Sequence, residues 1–169
     1  LKDLETVESR IQKIEKQVRV GGDKQAKVAL DVLLKYREAL SQGRSARTVE
    51  LVNKDEEQVA KETMLLTSKP VLYVCNVDEN SAVNGNAYVE QVREAVKDEN
   101  AQVLVVAAKI ESEIAELETY EERQMFLDEI GLSESGVSRL IKAAYALLDL
   151  RTFLTAGSDE VRAWTFKAG

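Results

Sequence analysis

The sequence of 169 residues has no histidine, one cysteine and one proline, and only 5% of its residues are aromatic. Without histidine, the chain lacks the commonest general base and the commonest metal ligand. The single cysteine, Cys75, excludes an internal disulfide, and its place in an apolar run is typical of core packing. No apolar run approaches the roughly 18 residues that a membrane-spanning helix needs. We therefore expect a cytoplasmic protein that has no membrane partner.

The chain is rich in apolar and charged residues, and its basic and acidic residues are unevenly distributed along the sequence. Hydrophobic residues make up 44% and charged residues 31%, with a net charge of −7, which is enough apolar material for a real core. Residues 1–54 hold many lysines and arginines, whereas residues 110–134 are strongly acidic. The first segment could present a basic face to RNA. A solvated pair of mixed-charge helices is the simpler interpretation of the same pattern.

The first 40 residues carry two apolar stripes with helical spacing. The first stripe alternates steps of three and four, which is typical of a coiled-coil seam. Gly21 and Gly22 then interrupt the pattern, and they follow a helix and lack the Gly-x-x-x-x-Gly-Lys-Ser/Thr spacing of a phosphate loop. We therefore predict an antiparallel helical hairpin within residues 1–54. The stripes are Leu4, Val7, Ile11, Ile14 and Val18, followed by Ala26, Leu30, Leu33 and Leu40.

Beyond residue 54 the patterns alternate between helix and strand, which predicts an α/β fold. Asp55 and Gln58 resemble a capping box that opens the first helix. The closing β-hairpin is expected to keep Phe153 and Trp164 in its core. The predicted order is helix 55–66, strand 70–75, helix 86–98, strand 102–107, helix 111–117, helix 137–148, and strands 152–157 and 162–166.

Polar residues follow both predicted strands of the α/β part at the point where each strand ends. The run 70–75 reads as a buried strand and passes into Asn76-Val77-Asp78-Glu79, and the second run passes into Ala107-Ala108-Lys109. Open α/β sheets bind ligands at the carboxyl ends of their parallel strands. These loops are therefore the candidate site. The plainer alternatives are a polar turn that closes a strand and a solvated lysine at a strand end.

The chemistry of these loops points to the base of a nucleotide. In a G-domain the first loop reads Asn-Lys-x-Asp, and its final carboxylate accepts two hydrogen bonds from guanine. Here Val77 replaces the lysine and Glu79 replaces the aspartate, so the carboxylate reaches one methylene further. This displacement should relax or reverse the preference for guanine. The second loop is similar to a Ser-Ala-Lys loop, with Ala107 in place of serine, and it would present a backbone N–H and the stem of Lys109 to the base.

Several stretches along the chain carry a resemblance to a known family, namely 3–8, 66–79, 131–141, 150–157 and 160–166. On these stretches the chain resembles the YchF/Obg-like ATPase family, and the resemblance covers essentially the whole sequence. It implies a P-loop G-domain with an inserted coiled-coil hairpin, followed by a small β-rich TGS domain. It also implies hydrolysis of ATP in preference to GTP and an association with ribosomes or translation.

On this resemblance, residues 1–54 are the hairpin, 55–148 the C-terminal portion of the G-domain, and 149–169 the start of the TGS domain. No phosphate-contacting or metal-contacting residue can be carried over, so we expect an internal fragment that is inactive alone. ATP or GTP and Mg²⁺ would bind to the intact protein. The alternative is a coiled-coil module that docks on RNA or the ribosome and has no catalytic role. The implied base-binding residues are Asn76, Val77, Glu79, Ala107, Ala108 and Lys109.

Overall fold

The computed structural model describes residues 1–21, 24–99 and 101–168. The chain divides into two compact units, Leu1–Lys69 and Pro70–Gly169. The first is helical, and the second mixes helices with a parallel and an antiparallel strand pair. The α/β class predicted from the sequence is confirmed. Among the described helices, none is long and apolar enough to cross a membrane.

Two helices of equal length dominate the first unit. Helix α1 (Lys2–Arg19) packs against helix α2 (Lys24–Ser41), and because only four residues join them the two must run in opposite directions. The predicted glycine turn retains Gly21, at φ 101°, while Gly22 lies outside the described residues. Both predicted stripes face inward. Of their members, Val7, Ile11 and Leu33 belong to a buried cluster, and Ile14, Leu30 and Leu40 pack against it. The other buried members of the cluster, which were not predicted, are Val32, Tyr36, Ala46 and Leu65.

Helix α3 (Lys54–Thr63) completes the first unit, and its start differs from the prediction. The capping side chain is Asn53, whose Oδ1 accepts a hydrogen bond of 2.9 Å from the N–H of Glu56. The proposed capping box at Asp55 was therefore wrong, because the helix already begins one residue before it. The helix also ends earlier than expected, since Met64 adopts a left-handed conformation with φ 52°.

The second unit opens with two parallel strands joined by a helix. Strands β1 (Leu72–Asn76) and β2 (Gln102–Val106) pair so that Leu72 lies opposite Gln102 and Asn76 opposite Val106. The two carboxyl ends therefore fall level with each other. Strands β3 (Leu150–Ala156) and β4 (Val161–Lys167) form the expected antiparallel hairpin. The helices of this unit are α4 (Ala87–Ala95), α5 (Ala108–Glu116), α6 (Tyr120–Glu129) and α7 (Gly136–Leu147).

Three features of the second unit differ from the sequence-based expectations. Strand β1 is not buried, because it pairs only with β2 among the described residues and leaves Val74 47% exposed. Phe153 and Trp164 are half-exposed rather than enclosed in a core, since both strands of the hairpin are open to solvent. Helix α6 was not predicted, because no apolar stripe marks it and Leu127 is its only buried residue.

Candidate functional site

The loop predicted at residues 107–109 is instead the start of a helix, because Ala107 is the N-cap of α5 and the helix begins at Ala108. Hydrogen bonds join this start to the end of β1. The side-chain oxygen Oδ1 of Asn76 accepts from the N–H of Ala108 at 3.0 Å. One residue further on, the N–H of Val77 donates to the carbonyl of Val106 at 2.9 Å and so extends the strand pairing. The two segments that the sequence singled out therefore form one continuous edge, and the side chain of Asn76 holds that edge together.

An ion pair crosses this edge between Glu79 and Lys109. Asp78 places Glu79, because its Oδ1 accepts from the N–H of Ser81 at 3.0 Å and starts a short 3-10 turn at residue 79. The Lys109 side chain is 72% exposed and that of Glu79 47%, so both remain accessible to a ligand. Glu79 raises the pKa of Lys109 through its hydrogen bond and its charge, and Glu113 at 3.9 Å adds to the effect.

The remaining two residues of the predicted set, Val77 and Ala107, support the edge from the interior of the unit. Val77 is partly buried and packs against an apolar cluster, and Ala107 is itself a member of that cluster. Their side chains therefore point into the unit, while those of Glu79 and Lys109 point outward. An apolar residue suits position 77 in this structure, since a lysine there would have to leave the cluster. The buried members of the cluster are Ala82, Ala107, Ile110, Ile114 and Leu127.

Sequence reasoning missed a second set of contacts that fixes this edge from the side of α7. The carboxylate of Glu111 accepts from the N–H of Gly136 at 2.6 Å and from that of Val137 at 3.1 Å. Arg139 donates from Nη2 to the carbonyl of Val105 at 3.0 Å. Ser135 could have been recognised as a helix cap from its residue type. No spacing rule would have connected Glu111 to a partner 25 residues away.

The arrangement fits one end of a nucleotide. An exposed carboxylate and an exposed ammonium group at the carboxyl ends of parallel strands can hydrogen-bond to the edge of a base. Holding a triphosphate requires a phosphate cradle, and the sequence contains no Gly-x-x-x-x-Gly-Lys-Ser/Thr motif. Within the described ranges, no group of three or more potential metal-ligating side chains is assembled. The residues present therefore fit the base and not the phosphate or Mg²⁺ end.

The sequence of this chain was compared with those of known proteins. No family model matches the sequence. The "Ribosome-binding ATPase YchF" of Bacillus subtilis is 51% identical over 171 aligned positions, which cover all of this chain and 46% of that protein. The protein of the same name from Escherichia coli O157:H7 is 43% identical over the whole chain, again covering 46% of its length. Over its full length, the chain is homologous to the YchF/Obg-like ATPases.

The likeness extends to a more distant member and to a solved structure. The rat "Obg-like ATPase 1" is 36% identical over 173 positions, which cover all of this chain and 43% of that protein. The structure of the Schizosaccharomyces pombe YchF GTPase matches 98% of this chain and 45% of its own with a TM-score of 0.81, at 22% identity. The resemblance inferred from the sequence is thus confirmed. The chain spans a little under half the length of the YchF relatives that it matches.

Proposed function

We propose that this chain carries the base-recognising part of a nucleoside-triphosphate hydrolase that prefers ATP to GTP. The observation that carries the proposal is the meeting of Glu79 and Lys109 at the joined ends of β1 and β2. The curated relatives, which are named as ATPases, support it. Asn76, Ala108 and the packed residues Val77 and Ala107 would hold this edge in shape, and Glu79 and Lys109 would face the base.

The chemistry of the pair suits adenine better than guanine. A guanine-reading carboxylate must accept two parallel N–H groups, and Glu79 carries its carboxylate one methylene beyond the position of the aspartate in the G-domain pattern. In this structure one of its oxygens is paired with Lys109. The Glu79 carboxylate is a hydrogen-bond acceptor and the Lys109 ammonium group beside it is a donor. Together they complement the edge of adenine, which offers one amino group as donor and one ring nitrogen as acceptor. A site built to form hydrogen bonds with one base discriminates strongly against a base that cannot form them.

Glu79→Asp in the intact gene product tests this assignment. Shortening the side chain should return the carboxylate toward the guanine-reading position and raise GTP affinity relative to ATP by about 1–2 kcal/mol. The measurement is a calorimetric or fluorescence titration of both nucleotides. Glu113→Asp is the matched control, because it shortens a carboxylate near the same lysine but outside the loop. An ATP:GTP ratio that Glu79→Asp leaves unchanged would overturn the role of Glu79.

We propose hydrolysis for the intact gene product rather than for residues 1–169 alone. Phosphoryl transfer depends on positioning the phosphates and stabilising their charge, with Mg²⁺ neutralising the charge that develops. The residues described here supply the base end of such a site. In the same proposal, residues 1–54 are the coiled-coil hairpin, 55–148 belong to the G-domain and 149–169 begin the TGS domain, and the protein acts in the cytoplasm.

A second proposed role is contact with the ribosome or RNA through the helical hairpin. Lys13, Lys16 and Lys24 are all exposed on α1 and α2. Exposed cationic side chains bind polyanions, and the affinity falls steeply as salt rises. The relatives named as ribosome-binding favour this role. If instead the hairpin is only a structural insert, these lysines would be ordinary solvated side chains.

Charge reversal separates the two interpretations. Replacing Lys13, Lys16 and Lys24 with glutamate in the intact gene product should weaken co-sedimentation with ribosomes and leave nucleotide affinity unchanged. The matched control reverses three other exposed lysines, which lie outside residues 1–54 and should matter less. Undiminished co-sedimentation of the first variant at low salt would assign the hairpin a purely structural role. The control lysines are Lys61, Lys69 and Lys97.

A further inference from the structure

We infer that Glu111 is a positioning residue for the base-binding edge, because it fixes helix α5 against the start of helix α7. Helix α5 begins at Ala108, so its first turn carries Lys109 and also Glu111. Any displacement of this turn moves Lys109 relative to Glu79. The inference rests on the proposed function and adds to it a residue that touches neither the base nor the ion pair.

The contact of Glu111 is bidentate and directed at the two leading N–H groups of α7. Its Oε1 lies 2.6 Å from the nitrogen of Gly136 and its Oε2 lies 3.1 Å from that of Val137. N–H groups in the first turn of a helix have no acceptor within the helix. A carboxylate is also favoured there by the helix dipole. Two oxygens on two adjacent donors fix both the distance and the orientation of α5.

The structure makes room for this contact through Gly136. A Cβ at this position would lie 2.8 Å from Glu111 Oε1 and 3.0 Å from Cγ1 of Val106. Both distances are too short for an ordinary contact, so a larger residue would push the carboxylate away. Val106 is the residue paired with Asn76 in the parallel strands. The point where Glu111 meets α7 therefore lies directly beside the end of β2 from which the candidate site emerges.

Helix α7 does not need Glu111 in order to begin. Ser135 already caps it, with its hydroxyl oxygen accepting from the N–H of Ser138 at 3.1 Å. Arg139 adds a separate link from α7 to the carbonyl of Val105. Loss of Glu111 should therefore leave α7 formed and attached to β2. What it removes is one of two links that set where the first turn of α5, with Lys109, lies, the other being the hydrogen bond from the Ala108 N–H to Asn76.

Comparing ATP with a ligand that lacks a base separates a positioning role from a merely structural one. Only a positioning role should lower the affinity for ATP without lowering that for the base-free ligand. We compare the intact gene product with its Glu111→Gln variant, in which an amide NH₂ replaces one of the two acceptor oxygens. Affinities for ATP and for inorganic tripolyphosphate are measured by titration. The variant should lose roughly tenfold in ATP affinity, as expected for one hydrogen bond to a charged group, and nothing for tripolyphosphate. The matched control is Glu116→Gln, an exposed glutamate on the same helix, which should change neither affinity.

Other outcomes separate this inference from the proposed function. Equal losses for ATP and tripolyphosphate would show a general structural effect, and unchanged ATP affinity would show no effect, so either result overturns the role of Glu111. If the unmodified protein binds ATP no more tightly than tripolyphosphate, the base-site proposal itself fails, and the role of Glu111 fails with it. Should Glu111→Gln not fold, Glu111→Asp keeps the charge but cannot span both donors, and it should show the same base-selective loss.

Discussion

The two units of this chain differ in the interactions that stabilise each of them internally. The first packs its helices around large, fully buried side chains, whereas the second buries few of them. Val137 and Ile141 of α7 are at least half exposed, and both faces of the β3–β4 hairpin are open to solvent. The largest fully buried side chains among the described residues are Tyr36, Leu33, Leu65, Val7, Val32 and Val89, of which only Val89 lies in the second unit.

The second unit adds directed polar contacts around its candidate site to the apolar cluster of Ala107 and its neighbours. Asn76 joins the end of β1 to the start of α5, Glu111 joins α5 to α7, and Arg139 joins α7 to β2. Apolar packing is tolerant of small shifts, whereas hydrogen bonds to a charged group specify distance and angle. The comparison indicates that single apolar truncations in the first unit should reduce stability. Single polar substitutions in the second unit should change ligand geometry first.

The largest expected effect comes from the same truncation made once in each unit. Leu33→Ala removes a side chain that is 1% exposed in the core of the first unit, and it should lower the free energy of unfolding by about 2–5 kcal/mol. Leu154→Ala removes one that is 68% exposed on β3, and it should change stability by less than about 0.5 kcal/mol. Urea denaturation followed by circular dichroism measures both. Equal costs for the two variants would contradict the contrast between the units.

The next largest effect concerns a polar contact within the first unit. Asp3 is 6% exposed, and its carboxylate accepts from the N–H groups of Leu66 and Thr67 at 3.0 and 2.6 Å and from the Thr67 hydroxyl at 2.7 Å. Asp3→Ala should therefore cost about 1–3 kcal/mol, because these donors lose their acceptor. Glu8→Ala, an exposed position on the same helix, is the control.

The pH dependence of this cost identifies the carboxylate as its source. Burial opposes ionisation of Asp3, but the hydrogen bonds from Thr67 and Leu66 outweigh it, so its pKa lies below the ordinary value of 3.8. The stabilisation is therefore complete above the unfolded pKa and is lost as the pH falls through the lower, folded pKa. The difference in unfolding free energy between the original chain and Asp3→Ala should shrink in acid. A difference independent of pH would point to packing rather than charge.

The features that could be predicted from the sequence are those that repeat locally or follow a general rule of sheets. The stripe containing Val7 and Ile11 has helical spacing, and the burial of that stripe was correctly expected. The level ends of β1 and β2 follow from parallel pairing, so the proximity of Asn76 to Ala108 could also be anticipated. Whether these residues bind a base stays a prediction.

The features that could not be predicted depend on partners distant in sequence or on what covers a surface. Asp3 meets Thr67 across 64 residues and Glu111 meets Gly136 across 25, and no local pattern encodes either separation. The exposure of Val74 is set by the neighbours of its strand, which the apolar run itself does not reveal. Helix α6 was missed because no apolar stripe marks it, although its polar start, with Thr119 and Glu122, has the spacing of a capping box.

The smallest effect we predict tests that polar start. Thr119 caps α6 by accepting from the N–H of Glu122 at 3.2 Å, and Glu122 returns the contact by accepting from the N–H of Thr119 at 3.1 Å. Because few apolar contacts hold α6, this capping box should be important for the helix. Thr119→Ala should destabilise it by about 1 kcal/mol, while Thr119→Ser, which keeps the hydroxyl, should not.

Hydrogen exchange measured on the peptide Tyr120–Glu129 is the appropriate readout, because a local opening need not appear in global unfolding. The hydrogen bonds from Thr119 hold the pKa of Glu122 below its usual range. The capping contribution should thus be present above the ordinary pKa of a glutamate and be lost as the pH falls through the lower, folded value. If Thr119→Ala leaves protection unchanged, α6 is held by Leu127 and its neighbours. The second unit would then depend on packing more than the comparison with the first unit implies.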